Sequence, residues 1–249
     1  MIGHADETGE VALSVSVVVL SFNEAPTLAS VTEATLLCLR DLGVKHLEVI
    51  IVDDGSSDGS RQIAETLAHR EREVRLVFHP RNLGIGEALR TGYHAATLDV
   101  VVAIPGDGQF EVSELRHVLT LSRNEFISFF RHENESYGPL RNGLSFANRF
   151  LNRHLIGLDM RDVNWVTAFW REDVVCEPLE IHSSLVQSEI CGKLVKRGRS
   201  VREIPSNYLP RRAGSYSKGA SPRIVVQALR DTLRVRAVVR RSGSRCNRS

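Results

Sequence analysis

Cysteine is scarce: Cys38, Cys176, Cys191 and Cys246 lie far apart in 249 residues, with no Cys-x-x-Cys pair. That spacing offers neither a disulfide framework nor a thiolate metal site, and it suits free thiols in a reducing compartment. Long apolar runs are missing too; none reaches the roughly 20 residues that span a bilayer, so the chain is expected to be soluble or at most peripheral. The opening MIGHADETGE is acidic and polar, unlike a signal peptide. Net charge is only +2, so nothing marks the chain as a polyanion binder, and no nucleic-acid partner is expected. Internal repeats and low-complexity segments are also lacking.

What is there is ordinary in bulk and patterned in detail. Hydrophobic residues make up 42% and charged residues 25%, as in a globular domain. The expected organisation is a loose tail over 1–12, a core over 13–220 and a basic amphipathic extension over 221–249. Basic residues gather from Lys193 onward, which suits a phosphate-bearing ligand or an anionic membrane surface. Val15 to Leu20 is β-branched without alternation and reads as a strand buried on both faces. Further strands are expected over Leu47–Val52, Val74–Phe78, Val100–Ile104 and Arg202–Tyr208. Helices are expected over Ala25–Leu42, Ser56–Arg70, Gly86–Ala96, 111–122 and 141–158. Trp165 to Trp170 reads as a short strand or buried turn, and Arg211 to Ala220 as a mobile loop. Repeated β–α alternation implies an α/β fold with a mostly parallel sheet flanked by helices. Ligands of such sheets bind beyond the carboxyl ends of the strands.

Three acidic sites follow strands: Asn23-Glu24, Asp53-Asp54 and Asp107. In a parallel sheet their loops converge on one edge. Clustered carboxylates repel unless a cation or a donor-rich ligand compensates them. Oxygen-only ligands favour Mg²⁺ or Mn²⁺ over zinc. A cation there would neutralise the diphosphate of a leaving nucleotide, while Asp53 can alternatively accept hydrogen bonds from a base or ribose. The competing reading is that DDGSSDGS is only turns and caps; SFNE after the preceding strand and GDGQ after a later one weigh against it. Gly84-x-Gly86 lacks the third glycine and does not follow the first strand, which argues against a Rossmann oxidoreductase.

LSFNEAPTL, EVIIVDDGSSDGS, HPRNLGIGEALRTGYHAA and PGDGQF, in that order, resemble family 2 glycosyltransferases. The branch they resemble contains dolichol-phosphate mannose synthase and bacterial polyprenyl-phosphate glycosyltransferases. The resemblance covers about residues 14 to 220 and implies a GT-A nucleotide-diphospho-sugar transferase fold. By position it implies that Phe22, Asn23, Glu24, Asp53 and Asp54 line the nucleotide sugar, with Arg131 after a later strand. Asp107 and Gln109 would hold Mg²⁺ or Mn²⁺ with the diphosphate. Gln187 and Glu189 match a Q-x-E on a helix facing the acceptor. Arg211, Arg212, Ser217 and Lys218, in RRAGSYSK, resemble a loop that closes over phosphates, with one extra residue between Gly214 and Ser217. Asp162 and Glu189 are the candidate general bases. Two departures stand out. Pro105 replaces the first Asp of a D-x-D metal motif. Asp162-Val163-Asn164-Trp165 replaces a D-P-(T/N)-x-G-F stretch near the sugar and acceptor.

The resemblance implies an inverting glycosyltransferase using a GDP- or UDP-linked sugar, with polyprenyl phosphate as acceptor. The implied location is cytoplasmic, with peripheral contact at the inner face of the membrane. Two alternatives stay open: transfer to a soluble acceptor, or a degenerate domain that binds nucleotide sugar without turnover.

Overall fold

The computed structural model describes residues 13–131, 149–210 and 222–242, of which 222–229 as backbone only. In chain order the elements are β1 (Val15–Ser21), α1 (Leu28–Asp41), β2 (Leu47–Asp53), α2 (Ser60–Arg70), β3 (Val74–Phe78), α3 (Ile85–Ala95) and β4 (Val100–Pro105). A 3-10 helix (Val112–Thr120) and β5 (Glu125–Arg131) follow. Then come a π-helical turn (Asn152–Ile156), β6 (Thr167–Trp170), α4 (Arg171–Val175), α5 (Val186–Lys196), β7 (Ser200–Ser206) and α6 (Pro222–Arg241).

The strands form one sheet in the order β3-β2-β1-β4-β6-β5-β7. All neighbours are parallel except β6, which runs antiparallel to both β4 and β5. The apolar runs are sandwiched as their lack of alternation requires. Val17 and Val19 of β1, Val49 and Ile51 of β2, and Val102 and Ile104 of β4 enter one core with α1, α2 and the 3-10 helix. The residues between them, Val18, Ile50 and Ala103, enter a second core with α3 and α5. Close packing of α3 depends on Gly92, where a Cβ would overlap the Val18 side chain.

At the amino ends of the strands Glu48 acts as a clamp. It accepts from Ser16 Oγ (2.6 Å), the Thr97 amide (2.7 Å) and hydroxyl (2.9 Å), and Arg75 Nη1 (2.7 Å). Burial pushes its carboxyl up, but the hydrogen bonds from Ser16, Arg75 and Thr97 outweigh that and hold it below the usual range.

Several expectations shift. Residues 111–122 are 3-10 rather than α-helical. Helix α2 begins at Ser60, because Ser56, Ser57 and Asp58 are engaged in loop hydrogen bonds. Trp165 precedes β6 instead of belonging to it. The extension does not stand apart: Val235, Val238 and Val239 of α6 are buried with Ile181 and Leu185. Among the described residues no helix is long and apolar enough to cross a membrane.

Candidate functional site

The carboxyl ends of β1, β2 and β4 stop level, with Ser21 opposite Asp53 and Leu20 opposite Pro105. Backbone bonds knit the loops that follow: the Asp54 amide donates to Ser21 O and the Gly106 amide to Leu20 O, each at 2.8 Å. Gly106 is required there, since a Cβ would sit 2.7 Å from that carbonyl oxygen. Thr27 Oγ1 donates to Gly106 O (2.8 Å), tying the SFNE loop to the GDGQ loop. Asn23 occupies the left-handed region (φ 57°), which Asn tolerates better than most residues. Its amide donates to Ser56 Oγ and its Oδ1 accepts from the Ser57 amide, both at 2.9 Å. This leaves Phe22 exposed at the rim. The Glu24 amide donates to Ser60 Oγ (2.9 Å), and its carboxylate is buried below the rim.

Asp53 is 1% exposed. Its Oδ2 accepts from the Ser56 amide (3.3 Å), whereas Oδ1, like Ser21 Oγ beside it, has no hydrogen-bond partner among the described residues. A buried oxygen left in that condition costs about 1–3 kcal/mol, and this one is free to accept a hydrogen bond from a donor-bearing ligand. Asp54 behaves differently and corrects the expectation that it contacts the nucleotide sugar. Its carboxylate accepts from the Leu83 amide (2.8 Å), the Gly84 amide (2.9 Å) and His79 Nδ1 (2.7 Å). His79 Nε2 in turn meets Thr91 Oγ1 (3.0 Å). Asp54 therefore shapes the turn into α3 instead of facing a ligand.

At the end of β4, Asp107 Oδ1 accepts from the Gln109 amide (3.0 Å). Gln109 Nε2 donates to the Tyr208 hydroxyl, and a bridge pairs Phe110 with Tyr208. Tyr208 packs edge-on to Trp165 (centroids 5.5 Å apart). The Arg131 guanidinium lies over both rings, 4.8 Å from Trp165 and 5.6 Å from Tyr208. Arg131 Nε also donates to Asp162 Oδ2 (2.7 Å). The structure thus brings Asp107, Gln109, Arg131 and Asp162 together along a wall of Trp165 and Tyr208. Trp165 also packs against the main core, in keeping with its reading as part of a buried segment, whereas sequence reasoning missed Tyr208. The available signal for Tyr208 was its place at the carboxyl end of an expected strand.

Two further expectations are corrected. Glu189 is fully buried: it accepts from the Glu180 and Ile181 amides (2.9 and 2.8 Å) and from Lys193 Nζ (2.7 Å). Its carboxylate is thus engaged within the protein and, among the described residues, faces no open site in this structure. Gln187 is also buried and donates from Nε2 to Trp165 O (2.9 Å), so it positions the 162–167 segment and does not line an open acceptor site. Arg211, Arg212, Ser217 and Lys218 lie outside the described residues.

The model of glycosyl transferase family 2 matches residues 16–171, well over half of the chain and every strand end described above except that of β7. The chain belongs to glycosyl transferase family 2. Among curated relatives it is 30% identical over 171 residues to the undecaprenyl-phosphate 4-deoxy-4-formamido-L-arabinose transferase of Pectobacterium atrosepticum, covering 68% of this chain and 52% of the relative. It is 27% identical over 210 residues to glycosyltransferase AglJ of Haloferax volcanii, covering 81% and 65%. The chain thus spans about half the length of the first of these relatives. The GT-A fold is shared with glucosyl-3-phosphoglycerate synthase from Mycobacterium tuberculosis, solved with Mn²⁺, UDP and glucosyl-3-phosphoglycerate. That match has a TM-score of 0.62 and 20% identity, covering 91% of this chain and 78% of that one. Mannosyl-3-phosphoglycerate synthase from Rubrobacter xylanophilus matches with a TM-score of 0.62 at 16% identity, covering 90% and 73%.

Among the described residues no group of three acidic, His or Cys side chains is placed to hold a metal. The family 2 strand end offers one carboxylate and one carboxamide, Asp107 and Gln109. That donor set fits a hard cation that shares its remaining positions with diphosphate oxygens and water, as Mg²⁺ commonly does. It does not fit a cation caged by protein alone.

Proposed function

We propose that the protein is an inverting glycosyltransferase that moves a sugar from a GDP- or UDP-linked donor to polyprenyl phosphate at the inner face of a membrane. The observation that carries the donor half is the buried Asp53 carboxylate, whose Oδ1 lacks a partner among the described residues, opposite Ser21 at the end of β1. Phe22, Asn23 and Asp53 would receive the nucleoside, and Glu24 supports that rim from below. Asp107 and Gln109 would hold a divalent cation with the diphosphate, supplying charge neutralisation of the leaving group. Likeness to undecaprenyl-phosphate transferases supports the acceptor.

In this reading an acceptor oxygen attacks C1 of the sugar, the C1–O bond to the diphosphate breaks, and nucleoside diphosphate leaves with the electron pair. Arg131, which lies against Asp162, Trp165 and Tyr208, would offer a guanidinium suited to a phosphate of the donor or the acceptor. An ionised phosphate acceptor needs no base, whereas a hydroxyl acceptor would pass its proton to Asp162. The basic residues of 211–218 would add positive charge at the diphosphate. Pro105 motivates a second reading, a donor-binding domain without turnover, because it removes one carboxylate from the metal motif.

A melting-temperature panel with UDP, GDP and their sugar conjugates, each with Mn²⁺, Mg²⁺ or EDTA, tests the donor site. At a hundredfold excess over Kd a native-state ligand adds about 2.7 kcal/mol, a rise of about 5–10 °C for a chain of this size. The expected result is such a shift with one base and a divalent cation only. A shift without release of nucleoside diphosphate in the presence of polyprenyl phosphate would favour the second reading, and no shift would remove the donor site.

A further inference from the structure

Helix α6 is divided sharply by chemistry. One side is fixed to the body through Val235, Val238 and Val239, and Lys196 Nζ holds its end by donating to Val239 O (3.1 Å), Arg240 O (2.8 Å) and Ser242 O (2.6 Å). The other side presents Arg230, Leu233, Arg234, Ala237, Arg240 and Arg241 to solvent. At 3.6 residues per turn these six fall within an arc of about 120°. Neutralisation of the arc is slight: Arg234 lies 3.8 Å from Asp231, and Arg241 lies 3.6 Å from Glu180 with both side chains more than half exposed. Leu233 is 49% exposed among these cations. The adjoining segment shares Ile156 with the same buried cluster and adds exposed Phe150 and Arg153.

We propose that this outer face of α6 docks the protein onto a lipid bilayer carrying anionic headgroups. The arginines match the charge of such a surface, and the apolar side chains set among them suit the headgroup–acyl boundary, not a phosphodiester backbone. The inner face of the helix already packs on α5, while the arginine arc is turned to solvent. The proposal extends the membrane-side acceptor reading and supplies the contact that would hold the active site near a lipid-borne acceptor.

The test is flotation of the full chain with phosphatidylcholine vesicles and with vesicles that also contain phosphatidylglycerol. The comparison variants are Arg230→Gln/Arg234→Gln/Arg240→Gln/Arg241→Gln and, separately, Leu233→Gln. All five positions are exposed, so the fold should survive, and donor-induced melting shifts measured on the same samples verify the site. The parent is expected to float with the anionic vesicles alone and to be released by salt. Each cation near such a surface is worth about fivefold in partitioning, so the quadruple variant should lose on the order of several hundredfold. Leu233→Gln should lose severalfold while keeping the salt dependence. Equal flotation with neutral vesicles, undiminished flotation of the quadruple variant, or retention on duplex RNA without flotation would each overturn the proposal. Intact donor shifts without flotation would sink the docking face and spare the donor site; flotation without donor shifts would do the reverse.

Discussion

Asp53 and Asp54 are adjacent, chemically identical and both buried, yet they do opposite work. The reason is the pleat: as β2 ends, successive side chains point to opposite faces. Asp54 turns toward α3, where two backbone amides and His79 satisfy it. Asp53 turns toward the end of β1 and keeps an oxygen without a partner among the described residues. Replacing Asp54 with Ala leaves two amides and an imidazole without their acceptor, and should cost about 2–4 kcal/mol of stability. Replacing Asp53 with Ala removes a buried, half-satisfied carboxylate and should leave the melting temperature nearly unchanged. It should weaken nucleotide binding by about tenfold to a hundredfold, the value of a hydrogen bond to a charged group. Thermal melts with a nucleotide titration on both variants check the pair. Equal destabilisation would mean that Asp53 is as structural as its neighbour. The letters DDGSSDGS contain both roles and do not say which aspartate takes which.

Among elements, what the sequence disclosed followed from burial on two faces. The runs in β1, β2 and β4 were legible because their central residues, Val17–Val19, Val49–Val52 and Val100–Ile104, are apolar on both faces between two helix layers, whereas β3, at the sheet edge, carries Arg75 and an exposed Phe78. Their loops were legible because a parallel sheet sends them all to one edge. The excursion from β5 to β7 was harder. The antiparallel strand β6 is four residues long, and its place between β4 and β5 depends on long-range pairing that no local pattern encodes. That excursion builds the wall of Trp165, Tyr208 and Arg131, and it also encloses Glu189, which position alone had suggested as a base. The Tyr208 hydroxyl accepts from Gln109, one of the two residues proposed to hold the cation, which gives Tyr208 a positioning role in that proposal. Outer-shell partners of metal ligands typically carry 10–100-fold in affinity, so Tyr208→Phe should raise the half-saturating Mn²⁺ concentration by about tenfold in the presence of nucleotide. Tyr208→Phe keeps the ring contact with Trp165 and should leave the melting temperature of the free protein almost unmoved. An unchanged Mn²⁺ titration would separate Gln109 from the cation.

Over the whole molecule the sheet has two ends with different duties. The carboxyl ends carry Asp53 and Asp107, the carboxylates proposed to meet the donor, and the amino ends carry a carboxylate whose oxygens are taken up by the protein itself. Glu48 shows what the second arrangement contributes. Its carboxyl is held below the usual range in the folded protein, so it binds its proton less readily there than in the unfolded chain. The stability it contributes is therefore present above its unfolded pKa of about 4.3 and is lost as pH falls through the lower folded value. Glu48→Gln keeps the shape but gives up the charge that Arg75, Ser16 and Thr97 select. At neutral pH it should cost about 1–3 kcal/mol, the loss expected when hydrogen bonds to a charged group are weakened. The deficit should shrink as the medium is acidified through pH 4, because the parent then loses the same charge. Nucleotide affinity should not change, since the clamp and the site lie at opposite ends of the same strands. Urea melts across pH, paired with a nucleotide titration, measure both quantities. A constant deficit at every pH would mean that the clamp acts through shape alone, and a loss of nucleotide affinity would mean that the two ends of the sheet are coupled.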